Sequence, residues 1–417
     1  MHLQKNRIPL IVLIILSITT LLHSQNTLKT GIWRGVLKLN GSQDGDRGLR
    51  YLPFNFEIKN SADKFSINII NQNERISVTE LVLKTDSVFI QMPVFNSEFR
   101  LKNSGNSLNG VWINRSRKDP VSIPFTAVYN EPRRFLMPYK NHALIKERWK
   151  VTFEPGTKDE YFSVGLFQTI NNKVFGTFTT ETGDYRYLEG FSDDTKFIVS
   201  CFDGAHAYVF KAERRNSALV KGHFYSGKSG HETWVAVPDA QFELRDPYAL
   251  TFLKPGYTKI DFSFKNTEGK TVSLSDEKFK NKVVIIQLMG TWCPNCMDET
   301  KFLSGFYDEY KKKGIEVVGL AFERTTDFNK AAGNLIRLKT RFNVNYELLI
   351  TEKTGKDQAS EALPMLNAIM AFPTTIYIDK KGAVRKIYTG FYGPATGEKY
   401  THYVQETTTF IEELLNE

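Results

Sequence analysis

Short runs of alternating hydrophobic and polar residues dominate the N-terminal part of the chain. Examples are FNFEIKN (54–60), KFSINIIN (64–71) and TKFIVSCF (195–202), and turn residues such as Gly, Asn and Asp separate the runs. A period of two between turn residues is typical of strands that bury one face. Because no convincing helix-period segment interrupts residues 25–246, the pattern predicts an all-β region there.

This region also carries a weak internal similarity, which predicts a duplication with halves at about 25–130 and 131–246. Trp33 and Trp149 would begin the two halves. Two similar antiparallel sheets would then close on each other, as a sandwich or a barrel, and remove exposed strand edges. Once gaps are allowed, the matching segments are 76–92 with 184–200 and 107–113 with 218–224.

The pattern changes after the stretch RDPYALTFLKPGYTK (245–259). KVVIIQLM (282–289) is a continuous apolar run, as expected of a parallel strand buried on both faces. A helix-period segment from Pro294 to Lys313 separates it from a second buried run, IEVVGLAF (315–322). These three segments predict a right-handed βαβ unit, and residues 254–417 are expected to form an α/β domain.

The remaining elements follow from the same reasoning. In order, the sequence predicts a helix at about 328–342, a strand at 346–350, an irregular helical stretch to 370, a strand pair within 374–389 and a final helix.

The first 24 residues have the composition of an export signal. Lys5 and Arg7 precede an apolar run from Ile8 to Leu22, and that run contains Pro9. About 15 apolar residues fall short of the roughly 20 that cross a bilayer. We therefore expect residues 1–24 to be a cleaved signal peptide, and the mature protein to be soluble in the periplasm or cell envelope. An uncleaved N-terminal anchor remains the alternative.

Composition and charge narrow the classes of function. The chain is 41% hydrophobic and 24% charged, which is typical of folded globular protein. Its formal net charge is +9, and the basic residues form short clusters of the kind found on solvated surfaces and at helix C-termini. Since no nucleic-acid-binding motif is present, no nucleic acid partner is expected.

Two of the three cysteines lie in the stretch GTWCPNC, where a buried strand gives way to a helix. Cys293 would meet the unpaired N–H groups and the positive dipole end of that helix, which stabilise a thiolate. Cys296, one turn further on, could attack a mixed disulfide formed on Cys293. The pair is therefore expected to exchange two electrons with a client disulfide.

Other uses of the pair fit the sequence less well. A structural disulfide across two intervening residues would gain little loop entropy. A zinc site would need a second ligand pair, and the chain offers only Cys201 and scattered histidines. A copper site like that of Sco-type chaperones has a wider cysteine spacing and an added histidine. We expect no metal and no cofactor beyond the redox-active pair, and Cys201 is interpreted as a small core residue.

Three motifs together resemble the TlpA/ResA-like thiol–disulfide oxidoreductases of the thioredoxin superfamily: WCPNC after a buried strand, FPTT (372–375), and the lead-in DFSFKNTEGKTVSLSD (261–276). The stretches GTWCPNCMDET and GFYGPATGEKY (390–400) further resemble an envelope subgroup with an N-terminal β-rich extension. The resemblance covers about residues 254–417 and implies a thioredoxin fold there.

The resemblance also implies roles for individual residues. Cys293 corresponds to the nucleophile, Cys296 to the resolving thiol and Pro373 to the cis-proline that faces the disulfide. Trp292 corresponds to the flat aromatic lid beside the pair. From the sequence alone, Pro373 could equally be a trans residue that opens an edge strand.

The chain departs from thioredoxin at the buried acid, which thioredoxins place six residues before the first cysteine. Here that position is Gln287, which cannot accept a proton from the resolving thiol. Glu299 lies where ResA-like members place an active-site glutamate, although an exposed helix glutamate fits the sequence as well. Asp298 would point about 100° around the helix and is expected to be silent when changed to Asn.

The leading interpretation is an extracytoplasmic thiol–disulfide oxidoreductase, more specifically a reductase of client disulfides that draws electrons from a membrane thiol donor. A peroxiredoxin fits poorly, because Thr291 is misplaced for a Thr-x-x-Cys motif. A non-enzymatic protein, whose β-region binds a partner or ligand, is the other alternative. That region offers no catalytic constellation, since His206, His223 and His231 are scattered and are interpreted as surface or strand residues.

Overall fold

The computed structural model of the protein describes residues 27–39, 51–62, 64–116, 119–136, 145 and 148–417. They form two large antiparallel sheets followed by a mixed sheet with helices. The predicted signal peptide lies outside the described residues. Within the part of the chain that is described, no helix combines the length and apolar character needed to cross a bilayer.

The first sheet is a nine-stranded antiparallel sheet in the order β4-β3-β2-β1-β9-β8-β7-β6-β5. Only Thr79 separates β4 from β5, so the sheet must curl until its two outer strands approach each other. The strands are β1 (Gly31–Lys38), β2 (Tyr51–Ser61), β3 (Lys64–Asn71), β4 (Glu74–Val78), β5 (Glu80–Lys84), β6 (Ser87–Gln91), β7 (Ser97–Asn103), β8 (Ser107–Asn114) and β9 (Val121–Tyr129).

The second sheet closes into a barrel, because β12 is hydrogen-bonded to β11 on one side and to β14 on the other. The ring runs β11-β10-β18-β17-β16-β15-β14-β12, and the short β13 adds to β12. Its strands are β10 (Arg148–Phe153), β11 (Tyr161–Ile170), β12 (Lys173–Thr180), β13 (Gly183–Asp184), β14 (Leu188–Ser192), β15 (Lys196–Phe202), β16 (Ala207–Arg215), β17 (Ala218–Ser226) and β18 (Gly230–Pro238).

The two sheets share one topology. In each, the first strand lies between the second and the last, and the remaining strands follow as a meander. A duplication would produce this correspondence, although its boundaries remain a prediction. The all-β architecture is confirmed. The closure differs from the expected one, since each sheet curls on itself instead of closing on the other.

The barrel and the first sheet are joined through the outer face of β15. Its inward residues, Phe197, Val199 and Cys201, belong to the barrel core. Phe202 points the other way and enters the core of the first sheet, where its ring stacks on Phe54 at a centroid distance of 4.5 Å. The second sheet thus supplies part of the first sheet's hydrophobic core.

We expect Phe202→Leu to destabilise the protein by about 1.5 kcal/mol, because it removes aromatic contacts while nearly keeping side-chain volume. The lost contacts are with Phe54, Phe99 and Trp112. Urea unfolding followed by tryptophan fluorescence measures the effect. Phe162→Leu is the control, since Phe162 is 42% exposed; an equal effect of both changes would contradict the joining role.

The third sheet has the order β20-β19-β23-β22-β21-β24-β25, in which β23, β22 and β21 are parallel. Every residue of β21 is buried, as the apolar run predicted. The α/β architecture is confirmed. Its elements are β19 (Ser263–Asn266), β20 (Thr271–Ser273), β21 (Val283–Met289), α1 (Pro294–Tyr310), β22 (Ile315–Ala321), α2 (Phe328–Phe342), β23 (Glu347–Ile350), α3 (Gly355–Ala362), β24 (Thr374–Ile378), β25 (Val384–Thr389) and α4 (Glu398–Asn416).

Candidate active site

The two cysteines lie at the start of α1, at the carboxyl end of the central strand β21. Cys293 is the N-cap residue, and its sulfur accepts a hydrogen bond from the backbone N–H of Cys296 at 3.3 Å. Both cysteines are free thiols. Cys293 is 7% exposed and lines a cleft, whereas Cys296 is fully buried. A client molecule can therefore reach Cys293 first.

The buried Cys296 thiol holds its proton firmly. Burial raises the pKa of Cys296 well above its ordinary value, and the hydrogen bond and charge of the Cys293 sulfur raise it further. The carboxylate of Glu299 acts in the same direction. Because thiolates are the attacking species, Cys296 needs a base before it can react.

Glu299 is fully buried on α1, one turn beyond Cys296, and is not the exposed helix residue that the sequence also allowed. Its carboxylate accepts hydrogen bonds from Thr375 Oγ1 at 2.6 Å, Gln287 Nε2 at 2.8 Å and Tyr403 OH at 3.4 Å. Burial raises the pKa of Glu299 to about 7, although the hydrogen bonds oppose the shift. Such a carboxyl can gain and release a proton near neutral pH.

Gln287 connects Glu299 to the cysteine pair. Its amide nitrogen donates to the Glu299 carboxylate and also to the backbone carbonyl of Cys296, at 3.3 Å. Its amide oxygen accepts from Thr300 Oγ1 at 3.0 Å. Gln287 thus takes the sequence position at which thioredoxins carry a buried acid. Its amide links the Glu299 carboxylate to the backbone of Cys296.

The other side of the cysteine pair is formed by Phe372, Pro373 and Trp292. The Phe372–Pro373 peptide bond is cis, and the Cys293 thiol donates to the Phe372 carbonyl at 3.4 Å. The Trp292 indole N–H donates to the Phe322 carbonyl at 3.0 Å, and its ring meets Phe372 edge-on. These contacts fix Trp292 as a wall beside the sulfur.

The β-barrel also reaches the cysteine pair, which the sequence did not predict. Residues 180–184, at the turn between β12 and β13, pack against the start of α1. Asn295 Nδ2 donates to the Asp184 carbonyl at 3.2 Å, and the Asp184 carboxylate accepts from the Gly393 N–H at 2.6 Å. Gly183 has a φ of 144°, which residues with a side chain rarely adopt, and a Cβ there would lie 2.1 Å from Asn295 Nδ2, so that the Asn295 side chain would have to move.

A cleft of about 260 Å³ lies between this turn and the cysteine pair. Tyr185, His206 and Tyr208 line it from the barrel, opposite Cys293 and Phe372. The His206 ring stacks on Tyr208 at 4.5 Å. Sequence reasoning assigned His206 to a surface or strand position, and no local motif marks it, because its place beside Cys293 depends on packing between distant segments.

Arg186, just after the turn, connects both β-sheets to α1. Its guanidinium donates to the Pro294 carbonyl at 3.3 Å and forms ion pairs with Asp298 and Glu74. The Nε atom lies 3.3 Å from an Asp203 carboxylate oxygen. One arginine therefore faces three acidic groups, contributed by β4, the loop after β15 and α1.

Asp298 points away from Glu299, as the helix geometry predicts, but the barrel partly covers it. Its side chain is 19% exposed and is paired with Arg186. Burial raises the pKa of Asp298 to about 7, although Arg186 opposes the shift, and the Glu74 and Asp184 carboxylates raise it further. The expectation of a silent Asp298→Asn change is therefore not supported by these contacts.

The fold and this site define a thiol–disulfide oxidoreductase of the thioredoxin superfamily. Residues 254–400 match the Redoxin family model. The C-terminal domain is similar to TlpA/ResA-like thiol–disulfide oxidoreductases, and a β-rich region precedes it in the chain. Enzymes of this class act on proteins that contain disulfides.

Among curated proteins, the chain is 29% identical over 140 residues to the thiol–disulfide oxidoreductase ResA of Geobacillus thermodenitrificans, which covers 34% of this chain and 72% of the relative. It is 27% identical over 200 residues to a chloroplastic peroxiredoxin Q of Populus jackii, and the match covers 48% of this chain and 85% of that relative. A solved secreted thiol–disulfide isomerase of Corynebacterium glutamicum is 20% identical, with a TM-score of 0.31, covering 42% of this chain and 99% of that one.

Proposed function

We propose that the protein is an extracytoplasmic reductase of protein disulfides, with Cys293 as the attacking sulfur and Cys296 as the resolving thiol. The observation that supports this assignment is that a client can reach only one of the two sulfurs. Cys293 lines the cleft and is 7% exposed, whereas Cys296 is fully buried. A buried thiol cannot meet a client disulfide, but it can attack a disulfide on its neighbour.

In the first step, the Cys293 thiolate attacks one sulfur of the client disulfide. The client S–S bond breaks, a mixed disulfide with Cys293 forms, and one client thiolate leaves. In the second step, Cys296 transfers its proton to Glu299 and attacks the Cys293 sulfur, which releases the second client thiolate. Two electrons pass to the client, its two sulfurs end as thiols, and the protein ends with a Cys293–Cys296 disulfide.

A membrane thiol donor would return the protein to the dithiol form, by the same exchange run in reverse. The apolar segment within residues 1–24 supports an extracytoplasmic location, because it has the composition of an export signal. The likeness to ResA supports thiol–disulfide exchange as the activity, and the reducing direction is part of this proposal. In this proposal the β-region shapes access to Cys293, and Trp292 and Pro373 flank the bound client.

We expect Cys296→Ser to accumulate covalent mixed disulfides with client proteins, because the second step cannot occur. Non-reducing electrophoresis and mass spectrometry of the linked peptides identify the sulfur involved. Cys293→Ser is the control and should trap nothing. Clients linked through Cys296 in a Cys293→Ser protein would contradict the assignment of the two sulfurs.

A further inference from the structure

A second and larger cleft begins at the wall of the active site. Its volume is about 700 Å³, and it lies between the first sheet and the start of α2. Trp292 and Arg324 line both this cleft and the smaller one over Cys293. The two clefts therefore meet at these residues, and a chain bound at Cys293 can continue into the larger one.

The charges that line the larger cleft are mainly positive. Among its described lining residues, the cations are Arg115, Arg324, Lys330 and Arg337. Arg115 forms an ion pair with Glu98 at 2.8 Å. Lys330 and Arg337 are exposed on α2, two turns apart on the same side of the helix. The Lys330 Nζ atom lies 3.9 Å from an Asp327 carboxylate oxygen, an exposed pair of the kind that contributes little.

The one carboxylate among these lining residues, Glu323, does not offset the cations at the surface. It is 3% exposed and accepts hydrogen bonds from the backbone N–H and the hydroxyl of Thr291, both at 2.7 Å, and from Asn334 Nδ2 at 2.9 Å. These bonds hold the loop that precedes Cys293. Among the described residues that line the cleft, the exposed charged groups are therefore all positive.

Arg324 lies where the two clefts meet and lines the smaller one together with Cys293. Its guanidinium carbon is 4.2 Å from the centre of the Trp292 ring, and one of its nitrogens donates to the Ser116 carbonyl at 3.3 Å. A guanidinium can bind a carboxylate with two parallel hydrogen bonds. Carboxylates next to a client cysteine would meet this group first.

We propose that the larger cleft binds an acidic segment of the client polypeptide, adjacent in sequence to the cysteine that Cys293 attacks. The proposal rests on the proposed function and adds the chemistry of the client. Asp or Glu side chains would pair first with Arg324 and then with Lys330 and Arg337. A volume of this size, in the range of roughly 300 to 1,000 Å³ typical of ligand sites, accepts several side chains.

The test compares two synthetic peptide disulfides that differ only in three residues beside the cysteine, which are Glu in one and Lys in the other. At low ionic strength we expect kcat/KM for the Glu peptide to exceed that for the Lys peptide by about tenfold, since exposed ion pairs are individually weak and several act together. In high salt the preference should fall several-fold, because exposed charges are screened.

The double change Lys330→Glu and Arg337→Glu should abolish or reverse the preference. The control is Lys312→Glu with Lys353→Glu, which changes the net charge equally on exposed residues outside the cleft and should keep the preference. Equal kcat/KM for both peptides in the unchanged protein, or loss of the preference in the control, would overturn the proposal while leaving the reductase function standing.

A binding experiment separates this proposal from the proposed function. Fluorescent peptides of the same two sequences, with Ser in place of Cys, are titrated with the full-length protein and followed by anisotropy. Tighter binding of the Glu peptide supports the acidic-segment proposal even if neither disulfide is reduced, an outcome that would count against the reductase function alone. Equal binding of the two peptides overturns the acidic-segment proposal.

Discussion

Glu299→Gln should slow disulfide reduction by about 100-fold at neutral pH, which is within the usual range for loss of a general base. The amide keeps the shape and most of the hydrogen bonds of the side chain but cannot take the Cys296 proton. The wild-type rate should rise as pH increases through about 7, where Glu299 ionises. This inflection should be absent from the pH profile of Glu299→Gln.

The same change should alter how stability depends on pH. The folded-state pKa of Glu299, about 7, is above its ordinary value of 4.5. Its contribution to stability is therefore fully present below pH 4.5 and is lost as pH rises through 7, because ionisation is unfavourable in the buried site. Glu299→Gln should remove this loss, which is up to about 3 kcal/mol.

Glu309→Gln is the matched control, because Glu309 lies on the same helix but is exposed. It should change neither the rate nor its pH profile. Stopped-flow kinetics of the second step, started from a preformed mixed disulfide on Cys293, measures the proton transfer most directly. Identical profiles for wild type and Glu299→Gln would assign the proton to another acceptor, such as water.

Arg186→Met should destabilise the folded protein by about 3–5 kcal/mol, the usual cost of removing one partner from a buried charge cluster. Methionine fills a similar volume, but the three facing carboxylates would lose their cation. Asp203 is 1% exposed, and the Asp298 and Glu74 side chains are 19% and 15% exposed. Urea unfolding followed by tryptophan fluorescence gives the size of the loss.

The cost of Arg186→Met should be smaller at about pH 5 than at about pH 8, because protonated carboxyls do not need the cation. Loss of the arginine raises the pKa of Asp298 beyond its present value of about 7. Arg245→Met provides the control: Arg245 pairs with Glu181 but is 65% exposed, so its loss should cost less than about 1 kcal/mol. A similarly small, pH-independent cost for Arg186→Met would mean that the cluster does not stabilise the fold.

The part of the site that lies close in sequence could be predicted from the sequence. A strand followed by a helix is enough to place Cys293 at a helix N-terminus, Cys296 one turn inside it and Glu299 one turn beyond. All three belong to a single stretch whose geometry is fixed by the helix repeat. The order and type of the elements from β21 to α4 follow from the same local patterns.

The barrel side of the site could not be predicted, because it depends on contacts between residues far apart in the chain. Arg186 and Asp298 are separated by 112 positions, and only the packing of the barrel against α1 brings them together. For the same reason the sequence predicted that Asp298→Asn would be silent. Helix geometry gives the direction of a side chain but does not say whether another domain covers it.

The contact between the barrel and the α/β domain has a consequence for recognising other proteins built this way. At two places the contact favours glycine: Gly183 has a φ of 144° and lies against the Asn295 side chain, and at Gly390 the backbones approach so closely that a Cβ would lie 2.7 Å from the Thr182 carbonyl carbon. These glycines, with an arginine three positions after the first, form a pattern that can be read in an alignment. In chains that carry these two glycines and the arginine, a barrel should cover the cysteine pair. In chains that lack them, the cysteine pair should be exposed to solvent.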